Sequence, residues 1–496
     1  MSKEPGIKKS AIITFIVMGS TFLSRILGFL RTAVISSIFG ASGTADVINL
    51  TFAIPNNLRK LMAEGALSAA FIPVLSETIQ KDKNDKSKLT QKVFSNLIGF
   101  QLIIIVPISI FAILFAKPII NILTEFDNPE QIELSISLFR YFINYLLFIS
   151  ISAVIMGLLN SLNYFFIPAV TPILFSISVL SSILLLHRTI GAYSMVVGVL
   201  LGGLAQVLFQ APQLYKLSYK LIPDFSFNND YFKKIIKQWL PVVATSSIFT
   251  INQQIALFFS SGLESGSTSA LVYALVFLQL PFGIFSASIT TVLFPRMSRH
   301  VILKDSNGLR DTLNYGIRLL FSLLIPSSIV FLFFGKIIIA TALQRGLFTA
   351  ENTIMTSNVL QAYSLGLFSI GGFNFLQRFF YSSRKYHIPF FTALFVCIID
   401  IILSLVLKET KMRVSGLALA NTIAFTLGFF VLLFLSRKSL IKLNGLLIIK
   451  SAVKVVISII PATLISIYFV RIIGDSWIYG GTLKNFGIII IIAFFW

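Results

Sequence analysis

Long apolar stretches follow one another along this chain from Ala11 to its end, and they decide what it can fold into. Hydrophobic residues make up 56% of its 496 residues and charged residues only 12%. A helix needs about 20 mostly apolar residues to cross a bilayer, and by that measure about fourteen spans fit. The first two cover 11–39 and 45–75 and are interrupted by polar residues. The last, 483–496, reaches only about 21 Å at 1.5 Å per residue, less than the hydrocarbon core. No soluble domain of the usual 100–200 residues fits between the spans. The expected fold is an all-α polytopic membrane protein.

The net charge of +21 suggests nucleic acid as a partner. The distribution argues otherwise, because the basic residues are scattered through short loops between spans. With the N-terminus in the cytoplasm, alternate loops hold about 23 Lys and Arg inside and about 9 outside, which follows the positive-inside rule. The loop carrying Glu125, Asp127, Glu130 and Glu133 then falls outside. Met1 to Ser10 is basic, but no small-residue cleavage site follows it, so it reads as the flank of a retained helix. The one cysteine, Cys397, lies in an apolar run and offers neither an intrachain disulfide nor a metal cluster.

The chain also repeats itself. SLNYFFIPAVT, Ser161 to Thr171, matches SSRKYHIPFFT, Ser382 to Thr392, with Ser, Ile-Pro and Thr coinciding at an offset of 221. Ile54-Pro55 leads to Phe71-Ile72-Pro73, and Leu280-Pro281 leads to Leu293-Phe294-Pro295, at a similar offset. An even number of spans separates the copies, so two pseudo-symmetric six-helix lobes point the same way, a known transporter plan with substrate between the halves. The expected divisions are 1–220 for the first lobe, 221–440 for the second, and 441–496 for two further helices.

Arg25, Arg31 and Arg59 interrupt the first two spans. A charge at mid-bilayer costs roughly 2.5–3.5 kcal/mol on insertion scales, so the three are expected to line a water-filled cavity rather than face lipid. Arg25 and Arg31 lie about 120° apart around a helix, with Gly28 between them to let a ligand approach. Lys60 and Glu64 form an i,i+4 pair that can neutralise itself. Guanidinium forks suit phosphate and pyrophosphate oxygens. The blander alternative is that the arginines snorkel, or pair with Asp46 and Glu64 to fix helices. The second half offers Asn252, Gln253, Gln254, Tyr273 and Gln279, so an anion is expected to rest mainly against the first. Asp400, with Asn421 or Thr422 on the next helix, could bind Na⁺ or carry a proton, or make a polar contact between helices.

Enzymatic chemistry finds little support. His187, His300 and His387 lack metal-ligand spacing, and no Gly-rich phosphate loop or nucleophile elbow is present. No organic cofactor is expected.

The stretch SRILGFLRTAVISSIFGAS from Ser24 to Ser42, then Asp46, then IPNNLRKLMAEGALSAAFIPVLSE from Ile54 to Glu77, resembles the signature of the MurJ/MviN family. LQRGLFT, Leu343 to Thr349, and FYSSRKYHIP, Phe380 to Pro389, resemble it too. The family comprises bacterial inner-membrane lipid II flippases within the multidrug/oligosaccharidyl-lipid/polysaccharide exporter superfamily. The resemblance implies two six-helix lobes around a central cavity and two C-terminal helices forming a groove for the lipid tail. It places the family's cavity arginines on Arg25, Arg31 and Arg59, with Asp46 and Glu64 beside them. It implies a sodium site at Asp400 and the neighbouring helix. Three positions depart from the family pattern. Thr32 stands where an acid usually follows the second arginine. Val276 stands where an arginine is usual, and Gln279 three residues on replaces an acid.

The expected function is a flippase that moves an undecaprenyl-pyrophosphate-linked peptidoglycan precursor from the cytoplasmic to the outer leaflet by alternating access. The expected partners are that precursor, membrane lipids and cell-wall synthesis proteins. Two rivals stand beside it: a cation-coupled drug or lipid-oligosaccharide exporter of the same superfamily, and a non-transporting scaffold for wall synthesis.

Overall fold

The computed structural model describes residues 7–62, 66–85, 88–439, 444–474, 478 and 481–495. Every regular element among them is helical. Eleven helices among the described residues are long and apolar enough to cross a membrane. A twelfth joins if α14 (Ala350–Ser364) and α15 (Leu367–Ser382), bent by 46° at their junction, count as one span. The expected second span is broken into α2 (Gly43–Met62) and α3 (Ala66–Asp85), and polar residues such as Asn56, Asn57, Arg59 and Lys60 lower its hydropathy. The last helix, α19 (Gly481–Phe495), has only 15 residues.

The chain forms two compact units. The first takes residues up to Ile35 and then Val47–Gln254. It holds most of α1 (Ile7–Phe39), then α2 and α3, α4 (Leu89–Leu114), α5 (Ala116–Leu123), α6 (Pro129–Phe142), α7 (Tyr145–Ser161), α8 (Phe166–Ile190) and α9 (Tyr193–Lys216). Much of α10 (Asp230–Ser261) belongs to it as well. Helices α8 and α9 approach closely because Gly198 and Gly202 carry no side chain; a Cβ on Gly198 would sit 2.7 Å from Val179 Cα. Phe71, Phe94, Leu97, Leu158, Ile235 and Trp239 build a buried core shared by α3, α4, α7 and α10.

The boundary falls inside α10 rather than near residue 220, and the segment ahead of α10 explains why. Asp224 N donates to Ser95 O at 3.0 Å, and Asn96 Nδ2 donates to Asp224 O at 3.2 Å and Ser226 O at 3.0 Å. Gln91 exchanges two 2.9 Å hydrogen bonds with the backbone of Lys220. The segment is thus strapped along α4 and brings the start of α10 with it.

The second unit takes Ser36–Asp46 and everything from Ile255. It holds α11 (Ser267–Pro281), a π-helical turn (Phe282–Ser286), α12 (Ala287–Ile302), α13 (Ser306–Leu343), α14, α15, α16 (His387–Leu407), α17 (Val414–Ser439), α18 (Gly445–Ile473) and α19. Phe334, Ile337, Ala340 and Ile488 form a buried cluster that joins α13 to α19.

The internal repeat extends to backbone detail. Asn163 after α7 and Arg384 after α15 both adopt left-handed φ, 65° and 58°. Each lets the next N–H reach back, Tyr164 N to Leu159 O at 2.8 Å and Lys385 N to Phe380 O at 3.0 Å. In the helices that follow, Thr171 Oγ1 donates to Ile167 O and Thr392 Oγ1 to Ile388 O, at 2.7 and 2.8 Å.

Candidate functional site

Arg31 and Arg59 of the first unit each contact a neutral side chain. Arg31, half-buried on α1, sets its guanidinium carbon 5.3 Å from the ring centroid of Phe175. That ring is itself fixed by aromatic contacts from Tyr145 at 5.3 Å and Phe52 at 6.3 Å. A cation over an aromatic face is attracted by the ring quadrupole without losing its charge. Arg59, near the end of α2, donates its Nε to Asn56 Oδ1 at 3.1 Å. It lies within electrostatic reach of Arg31. Arg25 is exposed on α1, and a side chain at Gly28 would meet no atom within 4 Å. Thr32 is buried, with its hydroxyl donated to Gly28 O at 3.2 Å.

An amide belt joins α2 to α10 within this unit. Lys60 Nζ donates to Asn57 Oδ1 at 3.1 Å and to Gln253 Oε1 at 2.9 Å. Asn57 Nδ2 donates to Gln254 Oε1 at 3.2 Å. Gln253 and Gln254 therefore serve the first unit, not the second half to which the sequence assigns them. Glu64, expected beside Lys60, lies outside the described residues.

Asp46 has a different role from the one expected of it. It is buried in the second unit, where its carboxylate accepts the N–H groups of Gly266 at 2.6 Å and Ser269 at 2.7 Å. These are donors at the start of α11 that no intrahelical carbonyl can satisfy. The surrounding turns are tied together through their backbone carbonyls. Leu347 N donates to Ser37 O at 2.8 Å, Tyr273 Oη to Gly40 O at 3.0 Å, and Asn352 Nδ2 to Ala41 O at 3.3 Å. Gly266 at φ 94° and Gly346 at φ 61° are required there: an added Cβ would lie 2.4 Å from Ala41 O or 2.1 Å from Ser37 O.

Asp400 and Asn421 are brought together, with Asn421 Nδ2 donating to Asp400 Oδ2 at 2.7 Å. Ser404 Oγ donates to Asp400 Oδ1 at 3.4 Å. Thr422 turns away and donates to Ala362 O at 2.8 Å. No group of three or more His, Cys, Asp and Glu able to hold a metal occurs among the described residues. On α11, Val276 is half-buried and Gln279 exposed.

Sequence reasoning missed three things: the amide belt, the α11 cap and the packed turns. The doublets Asn56-Asn57 and Gln253-Gln254 inside apolar helices were the signal available for the first.

Comparison with known proteins agrees with this picture. Residues 35–487 match the family model described as lipid II flippase MurJ. A probable lipid II flippase MurJ of Borreliella burgdorferi is 35% identical over 477 residues, covering 96% of this chain and 92% of the relative. A solved structure of lipid II flippase MurJ in an inward closed conformation superposes with TM-score 0.79 at 26% identity, covering 97% of this chain and 98% of that one. An inward-facing MATE family multidrug transporter shares the fold, with TM-score 0.69 at 16% identity over 84% of this chain and 94% of its own.

Proposed function

Because the chain belongs to the lipid II flippase MurJ family, we propose that its first unit grips the anionic headgroup of lipid II through Arg31 and Arg59, with Arg25 as a third cation. The protein is a multi-pass membrane transporter, a lipid II flippase, whose substrate is a lipid-linked precursor. One observation carries the assignment of residues. The Arg31 guanidinium lies over the Phe175 ring, Arg59 Nε donates to Asn56, and the two cations lie within electrostatic reach of each other, an arrangement suited to a pyrophosphate. Bidentate guanidinium–phosphate bonds are strong and directional, which favours arginine over lysine here.

The headgroup passes from the cytoplasmic to the outer leaflet while the two units rock to expose the site alternately, and the lipid tail stays in the membrane. A membrane potential positive outside favours outward anion movement by about 2.3 kcal/mol per charge per 100 mV. The loop charges support an inner-membrane protein with its N-terminus in the cytoplasm. Cell-wall synthesis proteins are the partners that would supply and consume the cargo. The test is leaflet accessibility of lipid II in cells depleted of their own flippase and supplied with this chain or its Arg31→Ala, Arg59→Ala variant. Outer-leaflet lipid II should return with the former and not with the latter; equal return would overturn the assignment.

A further inference from the structure

The second unit contains a cavity of about 610 Å³ that the arginine site does not use. Its size lies within the roughly 300–1,000 Å³ typical of small-molecule sites. One stripe of α14, from Glu351 past Asn358 to Ala362, lines it, and Leu365 follows just beyond the helix end. The turn before α11 adds Glu264, and the turn before α17 adds Lys411 and Arg413.

Two carboxylates and two cations therefore line one cavity. All four are exposed, and none makes an ion pair or side-chain hydrogen bond with a described residue. Lys408 in the same turn behaves differently, lying 4.9 Å over the ring of Phe259. Arg413 adopts φ 48°, a left-handed conformation that glycine or asparagine would take more easily. A side chain kept at a strained position on a cavity rim, with nothing in the fold to bind it, points to use from outside.

The interior continues the pattern. Leu365, 57% exposed, and Ile354 and Met412, each 39% exposed, offer apolar surface. Asn358 offers an exposed amide between them.

We infer that this cavity binds a short zwitterionic peptide. Its carboxylate pairs with Lys411 and Arg413, its ammonium with Glu264 and Glu351, its amides with Asn358, and its small apolar side chains with Leu365 and Ile354. The interior amide separates this ligand from a zwitterionic phospholipid, whose acyl chains have no use for a hydrogen-bonding group. Peptide of this chemistry could arrive free or as part of the lipid-linked cargo. The site itself stands apart from the arginine grip.

The test uses the purified full chain and the tripeptide Ala-Leu-Ala, titrated by calorimetry with free ends, with an acetylated N-terminus, or with an amidated C-terminus. Free ends should bind saturably, and each block should weaken binding about tenfold. The variant Glu264→Gln, Glu351→Gln should bind free and acetylated peptide alike. Lys411→Gln, Arg413→Gln should bind free and amidated peptide alike. Equal binding of all three peptides to the unaltered protein overturns the proposal. Saturable binding of lysophosphatidylethanolamine without binding of the tripeptide overturns it too. Competition by lipid II would assign the peptide to the cargo, and its absence would assign it to free peptides. Neither result depends on whether Arg31 and Arg59 grip the headgroup, which the leaflet assay reads separately.

Discussion

Asp46 accepts the backbone N–H of Ser269 at 2.7 Å, across 223 residues of sequence. A carboxylate from the second predicted span thereby closes the start of α11. Asp46→Ala would leave two buried donors without an acceptor. Caps of this kind are worth roughly 0.5–2 kcal/mol. The expected outcome is a lower Tm in detergent with lipid II binding per folded molecule unchanged. Unchanged Tm with weakened lipid II binding would return Asp46 to the substrate site.

Arg25→Ala, Arg31→Ala and Arg59→Ala are each expected to abolish or severely impair complementation at near-normal protein levels. Lysine at these positions should rescue only in part, because it lacks the planar fork. Phe175→Leu removes the ring under Arg31 and should slow flipping by about tenfold, in line with cation–π energies of roughly 0.5–2 kcal/mol. Flipping rates at matched expression check both statements, and full activity of all three alanine variants would refute the grip.

Asp400→Asn replaces an acceptor that faces the Asn421 amide at 2.7 Å. Setting an amide against it should cost roughly 1–3 kcal/mol. We expect reduced thermal stability, with transport responding to Na⁺ and pH gradients as it does in the unaltered protein. Loss of that response at unchanged stability would instead place a coupling ion at Asp400.

The strap ahead of α10 should be acid-sensitive. The hydroxyl and backbone N–H of Ser226 hold the Asp224 carboxyl below its ordinary pKa of 3.8. A depressed folded-state pKa gives stability that is fully present above the ordinary value and is lost as pH falls through the lowered one. Protection against hydrogen exchange in 217–229, corrected for the intrinsic pH dependence of amide exchange, should therefore be constant above about pH 5 and should fall below about pH 3.8. Asp224→Ala should show the faster exchange already at neutral pH. Exchange in the variant that matches the unaltered protein at pH 7 would show that the carboxylate does not hold the strap.

Local rules made much of this fold legible. Apolar runs of span length, the loop charge bias and the 221-residue offset depend on neighbouring residues or on counting. So does the expense of burying Arg31 and Arg59, which singled them out before any contact was known. Partners distant in sequence were not legible. Asp46 looked like a companion to the arginines because it is an acid near them in the chain, yet its hydrogen bonds go to α11. Lys60 looked self-neutralising through Glu64 on helical spacing, whereas its ammonium is bonded to Asn57 and Gln253. Eleven or twelve spans among the described residues meet a length and hydropathy test, and the second expected span falls short of it because Asn56, Asn57 and Lys60 sit beside its apolar residues.

The left-handed turns at Asn163 and Arg384 carry a historical meaning. The same torsion and reaching-back hydrogen bond close helices at Ser218 and Lys304 as well, but only Asn163 and Arg384 lie at matching points of the 221-residue repeat, as a duplicated ancestor would place them. The two copies have since parted in chemistry: one keeps asparagine, which tolerates this geometry, and the other has arginine, which tolerates it poorly. The ancestral shape has outlived the residue best suited to it. Arg384→Asn would reverse that divergence at a single site, and it is a natural starting point for making the molecule sturdier.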